Sequence, residues 1–420
     1  MFSFSAAAYP SQWSQWRGPF ANGSSDEKNL ITDPNKPENT AWFVDMPGES
    51  SATPVISKGR VFVSSVDADT GDLLGLCIDE KTGTILWKKK ISTGSGKLPR
   101  NNMASPSPAA DGQRVIFTFE NGDIAAYDYA GERLWKRNLS EKYGSISIKF
   151  GYSSTPLIFK NRVYVQILRR PLSYRGPERS DLESLLLILD PANGKTLHKV
   201  VRKTSAEGES CDAYSSPMPV EFNDTAEIII LGADFVTGHD PANGKELWRY
   251  GTNPSQMQRQ RLIPSATIDD GMIFAVQSRS GDLYAIAPGG KGTLTDSDLK
   301  WKFTDKTTDS PTPLYYNGRI YTLDGTKNKT LRCIDAKTGK LKWEGKLESD
   351  SLYASPTAAD GKIFCISEKG KAFVLSAEAD SMKVLSTRDF AEGNARSSIA
   401  IADGRIFIRT AKKLHCLKKP

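Results

Sequence analysis

Asp335-Ala336-Lys337-Thr338-Gly339, followed four residues later by Trp343, decides the fold. The apolar run before the Asp reads as a strand. The Asp side chain bonds the backbone two residues on and opens a turn. The Gly supplies the positive φ that closes it. A second strand follows and ends on the Trp. The unit recurs at Asp79-Glu80-Lys81-Thr82-Gly83 with Trp87 and at Asp240-Pro241-Ala242-Asn243-Gly244 with Trp248. Asp190-Pro191-Ala192-Asn193-Gly194 carries His198 in the Trp position, and Asp128 to Gly131 is one residue shorter and leads to Trp135. Trp301 ends a degenerate copy whose turn is enlarged around Gly289-Gly290 and Gly292. Each Trp is expected to pack between adjacent repeats, an apolar contact of about 150–250 Å².

A second signature precedes each copy: a Ser/Thr/Pro lead-in, an apolar strand, an Asx-Gly-like turn and another strand. Ser105-Pro106-Ser107-Pro108 leads to Asp111-Gly112, and Ser310-Pro311-Thr312-Pro313 leads to Asn317-Gly318. Ser355-Pro356 leads to Asp360-Gly361, and Ser397-Ser398 leads to Asp403-Gly404. Asx-Gly between alternating strands is the strongest short hairpin signal. The two signatures together make four antiparallel strands, one blade of a β-propeller. With strands A to D counted outward from the axis, blades fall at 51–91, 105–139, 153–201, 215–250, 264–303, 310–347 and 355–390. Residues 397–417 supply three more strands. Thr40-Ala41-Trp42-Phe43-Val44 supplies the missing outer one, closing the ring and removing open edges. The expected fold is all-β: an eight-bladed propeller over residues 40–420, preceded by an N-terminal extension over 1–39.

Composition agrees. The 420 residues are 38% hydrophobic and 25% charged, with 34 Gly fitting many turns. A net charge of +7 is mild for this length, and no Lys/Arg run of the kind that tracks phosphates stands out, so no nucleic-acid partner is expected. No stretch of 18 apolar residues suits a membrane-spanning helix. Met1 to Ala8 is short and apolar, and reads as the remnant of an export signal. Of the five cysteines, Cys77, Cys333 and Cys416 share one strand position and read as buried thiols, while Cys211 falls in a loop. No CxxC supports zinc or redox chemistry.

The strand–Asp-x-x-Thr-Gly-x-x-x-Trp unit resembles the PQQ-type propeller repeat. That repeat is shared by quinoprotein dehydrogenases and by the periplasmic lipoprotein of the outer-membrane β-barrel assembly machine. Gln15-Trp16-Arg17-Gly18-Pro19, followed by Asn22-Gly23, is similar to the opening segment of exported PQQ-like propellers of planctomycete type. The resemblance implies a propeller and export to the periplasm or beyond. It does not imply bound PQQ.

Strand order sorts the loops. The A–B and C–D turns share one face, and their Asp residues are structural. The D–A connections and B–C loops share the other, where function usually sits. That face should hold 92–104, 140–152, 202–214, 251–263, 391–396 and the insertion Arg169 to Glu183. It is rich in Lys97, Arg100, Lys149, Arg169, Arg170, Arg175, Arg179 and Arg259. The residues expected at the mouth of the central funnel are Asn102, Tyr152, Tyr214, Arg261, Asp309, Tyr353 and Arg396.

No catalytic residue, metal ligand or cofactor is indicated. A quinoprotein dehydrogenase resembling this repeat would need a calcium or lanthanide site, a catalytic Asp and usually an adjacent Cys–Cys pair, and that pair is absent. Asp67-Ala68-Asp69-Thr70-Gly71-Asp72 has the wrong spacing for a calcium loop, with Ile78 where Glu should stand. His198, His239 and His415 lie at strand positions with no partner spacing for a triad or a metal. The leading expectation is a monomeric, non-catalytic scaffold that binds a protein or polysaccharide through its basic face. The alternatives are a PQQ-dependent dehydrogenase with calcium in the funnel, and a module of an assembly machine or a kinase-like partner.

Overall fold

The computed structural model describes residues 12–420 apart from 95, 97, 99, 175–179, 270, 278 and 280. Eight antiparallel sheets surround a common axis. Blade 1 comprises Val55–Ser57, Arg60–Val66, Asp72–Asp79 and Ile85–Thr93, and blade 2 Ala109–Ala110, Arg114–Thr118, Asp123–Asp128 and Arg133–Asn138. Blades 3 to 7 repeat the plan, with inner strands Leu157–Phe159, Met218–Phe222, Thr267–Asp269, Leu314–Tyr316 and Thr357–Ala359. Blade 8 is built from Ala400–Ala402, Arg405–Arg409, Lys413–Lys418 and, from the other end of the chain, Thr40–Asp45. In that closing pair Trp42 faces Cys416 and Asp45 faces Lys413. The expected ring and its closing strand are both present.

One blade departs from the plan. The enlarged turn of blade 5 returns as Gly292–Leu294 and pairs in parallel with the outer strand Glu246–Gly251 of blade 4, so that sheet has five strands.

The repeated Trp locks neighbouring blades together. The indole of Trp42 donates to the Glu80 carbonyl at 3.0 Å, Trp87 to Tyr129 at 3.1 Å, Trp135 to Pro191 at 2.8 Å, Trp301 to Ala336 at 3.0 Å and Trp343 to Ala379 at 3.2 Å. Each acceptor lies on the next blade, in the turn leaving its third strand. The turn glycine therefore has two tasks. At Gly339, φ is +70°, and a Cβ would stand 2.6 Å from the Trp301 ring. Trp248 is the exception, because blade 5 lacks the compact turn. Its indole donates to the buried carboxylate of Glu227 at 2.9 Å, and that carboxylate also accepts the Gly289 N–H at 3.0 Å.

The Ser/Thr lead-ins form a second lock nearer the axis. The N–H of Thr53 donates to the Ser107 hydroxyl at 2.9 Å, Ser107 to Thr155 at 3.0 Å, Thr155 to Ser216 at 2.9 Å and Ser216 to Ser265 at 2.7 Å. Ser265 donates to Thr312 at 3.0 Å, Thr312 to Ser355 at 2.9 Å and Ser355 to Ser398 at 3.2 Å. All eight side chains are buried.

Residues 12–31 thread across the innermost strands on the tight-turn face. Trp13 pairs with Ile56 of blade 1, and the Ala110 N–H of blade 2 donates to the Ser14 carbonyl at 2.8 Å. Trp16 lies against Thr155, Pro156, Ser216 and Pro217 of blades 3 and 4. The Asn22 amide donates to Asp269 of blade 5, and its carbonyl accepts the Tyr315 N–H of blade 6 at 3.2 Å. Ser24 bridges Ala358 of blade 7, and Glu27 accepts the N–H groups of Asp403 and Gly404 in blade 8 at 2.9 and 2.7 Å. At the centre the buried Arg17 guanidinium donates to the carbonyls of Pro356, Pro313 and Asn22 at 3.1, 2.9 and 3.1 Å. Burial without a carboxylate lowers Arg17 to about 9, which leaves it charged at neutral pH.

All five cysteines are buried and reduced. Cys211 ends a short 3₁₀ turn, Gly208–Cys211, and its thiol donates to the Ala206 carbonyl at 3.1 Å. His239 is fixed between the Gly244 carbonyl and the Thr237 hydroxyl, both at 2.9 Å, and burial lowers it to about 4. The Asp67 carboxylate accepts the N–H groups of Asp69 and Thr70 at 3.1 Å, an Asx turn at a hairpin tip.

Candidate functional site

The loop face opens opposite the threaded segment, and a network of cations, carboxylates and aromatic rings runs around its rim. Arg261 reaches Glu209 at 3.6 Å and Asp309 at 4.0 Å. Lys149 shares Glu209 at 3.2 Å. Phe150 stands between them, with the Arg261 and Lys149 charges each 5.5 Å from its ring centroid and that of Arg100 at 5.9 Å. Across the rim, Arg396 binds Glu368 with Nε at 2.9 Å, lies 5.0 Å over the Tyr353 ring, and donates through Nη1 to the Arg100 carbonyl. That last contact ties the 92–104 loop to blade 8.

Of the seven mouth residues that sequence singles out, Arg261 and Asp309 come together, and Arg396 and Tyr353 form a second pair. Tyr214 packs 6.3 Å from Phe150, and its hydroxyl accepts the Phe150 N–H at 3.2 Å. Asn102 turns to the Ser51 hydroxyl at 2.9 Å and caps Ala104 at 3.1 Å. Tyr152 is buried between strands and donates to the Gln166 carbonyl at 2.7 Å, so it supports the rim without lining it. Burial raises the phenols of both Tyr152 and Tyr214 well above their ordinary value. Phe150 itself carries no sequence signal: a phenylalanine in a loop looks like any other until its neighbours are placed.

Arg169 proves to be structural. Its guanidinium collects the carbonyls of Glu183, Gly144, Ser145 and Tyr143 at 3.0, 2.8, 2.6 and 2.6 Å, pinning the long insertion to the loop beneath. Arg170 lies 3.8 Å over the Tyr174 ring, and the Tyr174 hydroxyl donates to buried Asp212 at 3.0 Å. Burial raises Asp212 to about 7. Lys97, Arg175 and Arg179 lie outside the described residues.

The carboxylates of this rim converge on guanidinium and ammonium groups, not on one another. Among the described residues, no three His, Cys, Asp or Glu side chains are grouped to hold a metal ion. The arrangement suits recognition of polar or anionic groups by preset cations.

Solved structures similar to this one include BamB from Moraxella catarrhalis, with TM-score 0.62 and 13% identity over 90% of this chain and 99% of that chain. A europium-containing methanol dehydrogenase has TM-score 0.71 and 11% identity over 97% and 98%, and quinohemoprotein alcohol dehydrogenase from Comamonas testosteroni 0.67 and 12% over 98% and 81%. At such identities the likeness concerns the fold alone. No curated protein matches in sequence. The family model described as outer membrane protein assembly factor BamB matches residues 25–175 and 232–382. Those matches span well over half of the sequence, and the chain belongs to that family of PQQ-like propellers.

Proposed function

We propose that this chain is a non-catalytic, exported propeller scaffold, active as a monomer, that binds a partner protein or polysaccharide through its loop-rich basic rim. The observation that carries the reading is the threaded segment: residues 13–27 cross the tight-turn face, bonding to blades 1, 2 and 5 to 8 and packing through Trp16 on blades 3 and 4. A quinone enzyme requires an axial chamber with convergent metal ligands, whereas the rim carboxylates Glu209, Asp309 and Glu368 are each taken by a basic side chain. Membership in a family described as an assembly factor supports a protein partner over a polysaccharide. Among the described residues, no helix is long and apolar enough to cross a membrane.

Two measurements test the reading. A photo-crosslinker placed at Lys149 should capture a partner from a cell-envelope extract, and one at Lys337 on the tight-turn face should not. Pyrroloquinoline quinone with calcium should leave the melting temperature unchanged, and no dye should be reduced with alcohols or sugars. A specific ligand at 100 times its Kd would stabilise the fold by about 2.7 kcal/mol, and such a shift accompanied by turnover would replace the scaffold with a divergent quinoprotein dehydrogenase.

A further inference from the structure

We propose that the rim around Phe150 is an acidic-peptide site, in which Arg100, Lys149 and Arg261 take side-chain carboxylates of a partner protein. This rests on the scaffold reading and gives its partner a chemistry.

The placement of charge carries the inference. Three cations stand 5.5 to 5.9 Å from one ring centroid. Glu209 is shared by two of them, and Asp309 lies 4.0 Å from Arg261. Arg100 makes no ion pair with any described residue, although it is exposed beside two like charges. Its backbone sits at φ +61°, a left-handed conformation unusual for arginine, and its carbonyl is held by Arg396, which Glu368 anchors in turn. The backbone is thus fixed while the guanidinium is left to solvent. Three cations here face two carboxylates, so the cluster keeps a net positive charge, and an incoming anion relieves the potential this raises. Arg261 and Lys149, already held beside Glu209, lose little further freedom on binding a carboxylate.

The rings argue against other polyanions. Sugars and nucleobases stack on open aromatic faces. Phe150 is ringed by cations, Tyr353 is covered by Arg396 at 5.0 Å, and Tyr214 is buried with its hydroxyl committed to Phe150. What remains accessible is charge and hydrogen-bond donors, which suits aspartate and glutamate side chains.

The probe is a fluorescein-labelled octaglutamate peptide, followed by anisotropy at low and moderate salt, beside octaglutamine and an oligogalacturonate. Octaglutamate should bind and weaken as salt rises, and octaglutamine should not bind. The double variant Arg100→Glu, Lys149→Glu changes two exposed side chains and should weaken octaglutamate binding at least tenfold, while Lys337→Glu on the opposite face should leave it unchanged. Equal binding by the double variant, tighter binding of oligogalacturonate, or no binding of octaglutamate by the folded wild type would each overturn the proposal. If octaglutamate fails while the Lys149 crosslinker still captures a partner, the peptide chemistry falls and the scaffold reading stands.

Discussion

The backbone N–H of Ser107 donates to the Thr155 hydroxyl at 3.0 Å across the gap between blades 2 and 3. The same bond joins six further pairs of neighbouring blades, so the Ser/Thr lead-ins form an internal belt. Each hydroxyl satisfies a buried N–H that no strand ladder reaches. The belt explains why hydroxyl residues recur ahead of every inner strand when apolar residues would fit the burial equally well.

Replacing Thr155 by Val keeps the shape and removes the acceptor. The Ser107 N–H is then buried without a partner, which costs about 1–3 kcal/mol. Denaturant unfolding should show that loss for Thr155→Val and recover most of it in Thr155→Ser. An unchanged midpoint in the Val variant would mean the belt contributes no net stability.

Gly339 and Gly318 separate backbone strain from packing. Both have positive φ, +70° and +73°, but a Cβ on Gly318 meets nothing within 4 Å, whereas on Gly339 it meets Trp301. Gly318→Ala should cost about 1–2 kcal/mol from the left-handed backbone alone. Gly339→Ala should cost clearly more, because it also displaces the ring that docks blade 5 on blade 6. Trp301→Ala should narrow the difference between the two alanine variants, and a difference that persists in full in that background would contradict the packing account.

The repeat was legible because a blade is local: alternation, an Asx-Gly turn and an Asp…Gly turn all act within a few residues. The closing strand could be read too, since residues 397–417 supply only three strands and Thr40 to Val44 offers the missing outer one. The path of residues 12–31 could not. The sequence marks 1–39 as an extension with a recognisable Gln15 to Gly23 opening but gives it no path, because Trp13, Arg17 and Asn22 find partners 43 to 339 positions away and show no periodicity. The fifth strand on blade 4 was hidden for a related reason: Gly292–Leu294 reads as turn, and its pairing depends on an edge supplied by another repeat. At the site, residue type and loop position could not distinguish Arg169, which caps carbonyls in the interior, from Arg261, which pairs with Glu209 and Asp309 on the rim. They passed over Phe150 altogether.

Arg17 should hold the threaded segment in place. Arg17→Met keeps much of the volume but leaves the Pro356 and Asn22 carbonyls without this donor, while Pro313 keeps the Thr267 hydroxyl at 2.7 Å. Lysine cannot reproduce a guanidinium that spans three carbonyls. In both Arg17→Met and Arg17→Lys, limited proteolysis should clip residues N-terminal to Thr40 faster than in the wild type, with the blades still resistant, since local opening precedes global unfolding. Equal clipping rates would mean that Trp13, Asn22 and Glu27 hold the segment without it.

Asp212 ties the long insertion to the rim and should leave a mark on the pH dependence of stability. Its carboxyl is buried, which raises it from 3.8 to about 7, although Tyr174 and the Arg170 N–H donate to it at 3.0 and 3.2 Å. Between those two values the folded chain carries a proton that the unfolded chain has lost. Stability contributed by this group is therefore full at acid pH, falls as pH rises toward 7, and is level above it. The limiting slope is on the order of 1.4 kcal/mol per pH unit. Asp212→Asn cannot ionise, so its stability relative to the wild type should increase from pH 4 to 7 and then hold constant. Other buried groups, such as Glu80 and His239, titrate in both proteins and cancel in that difference. A difference that stays flat across the range would show that the two donors compensate the buried charge in full.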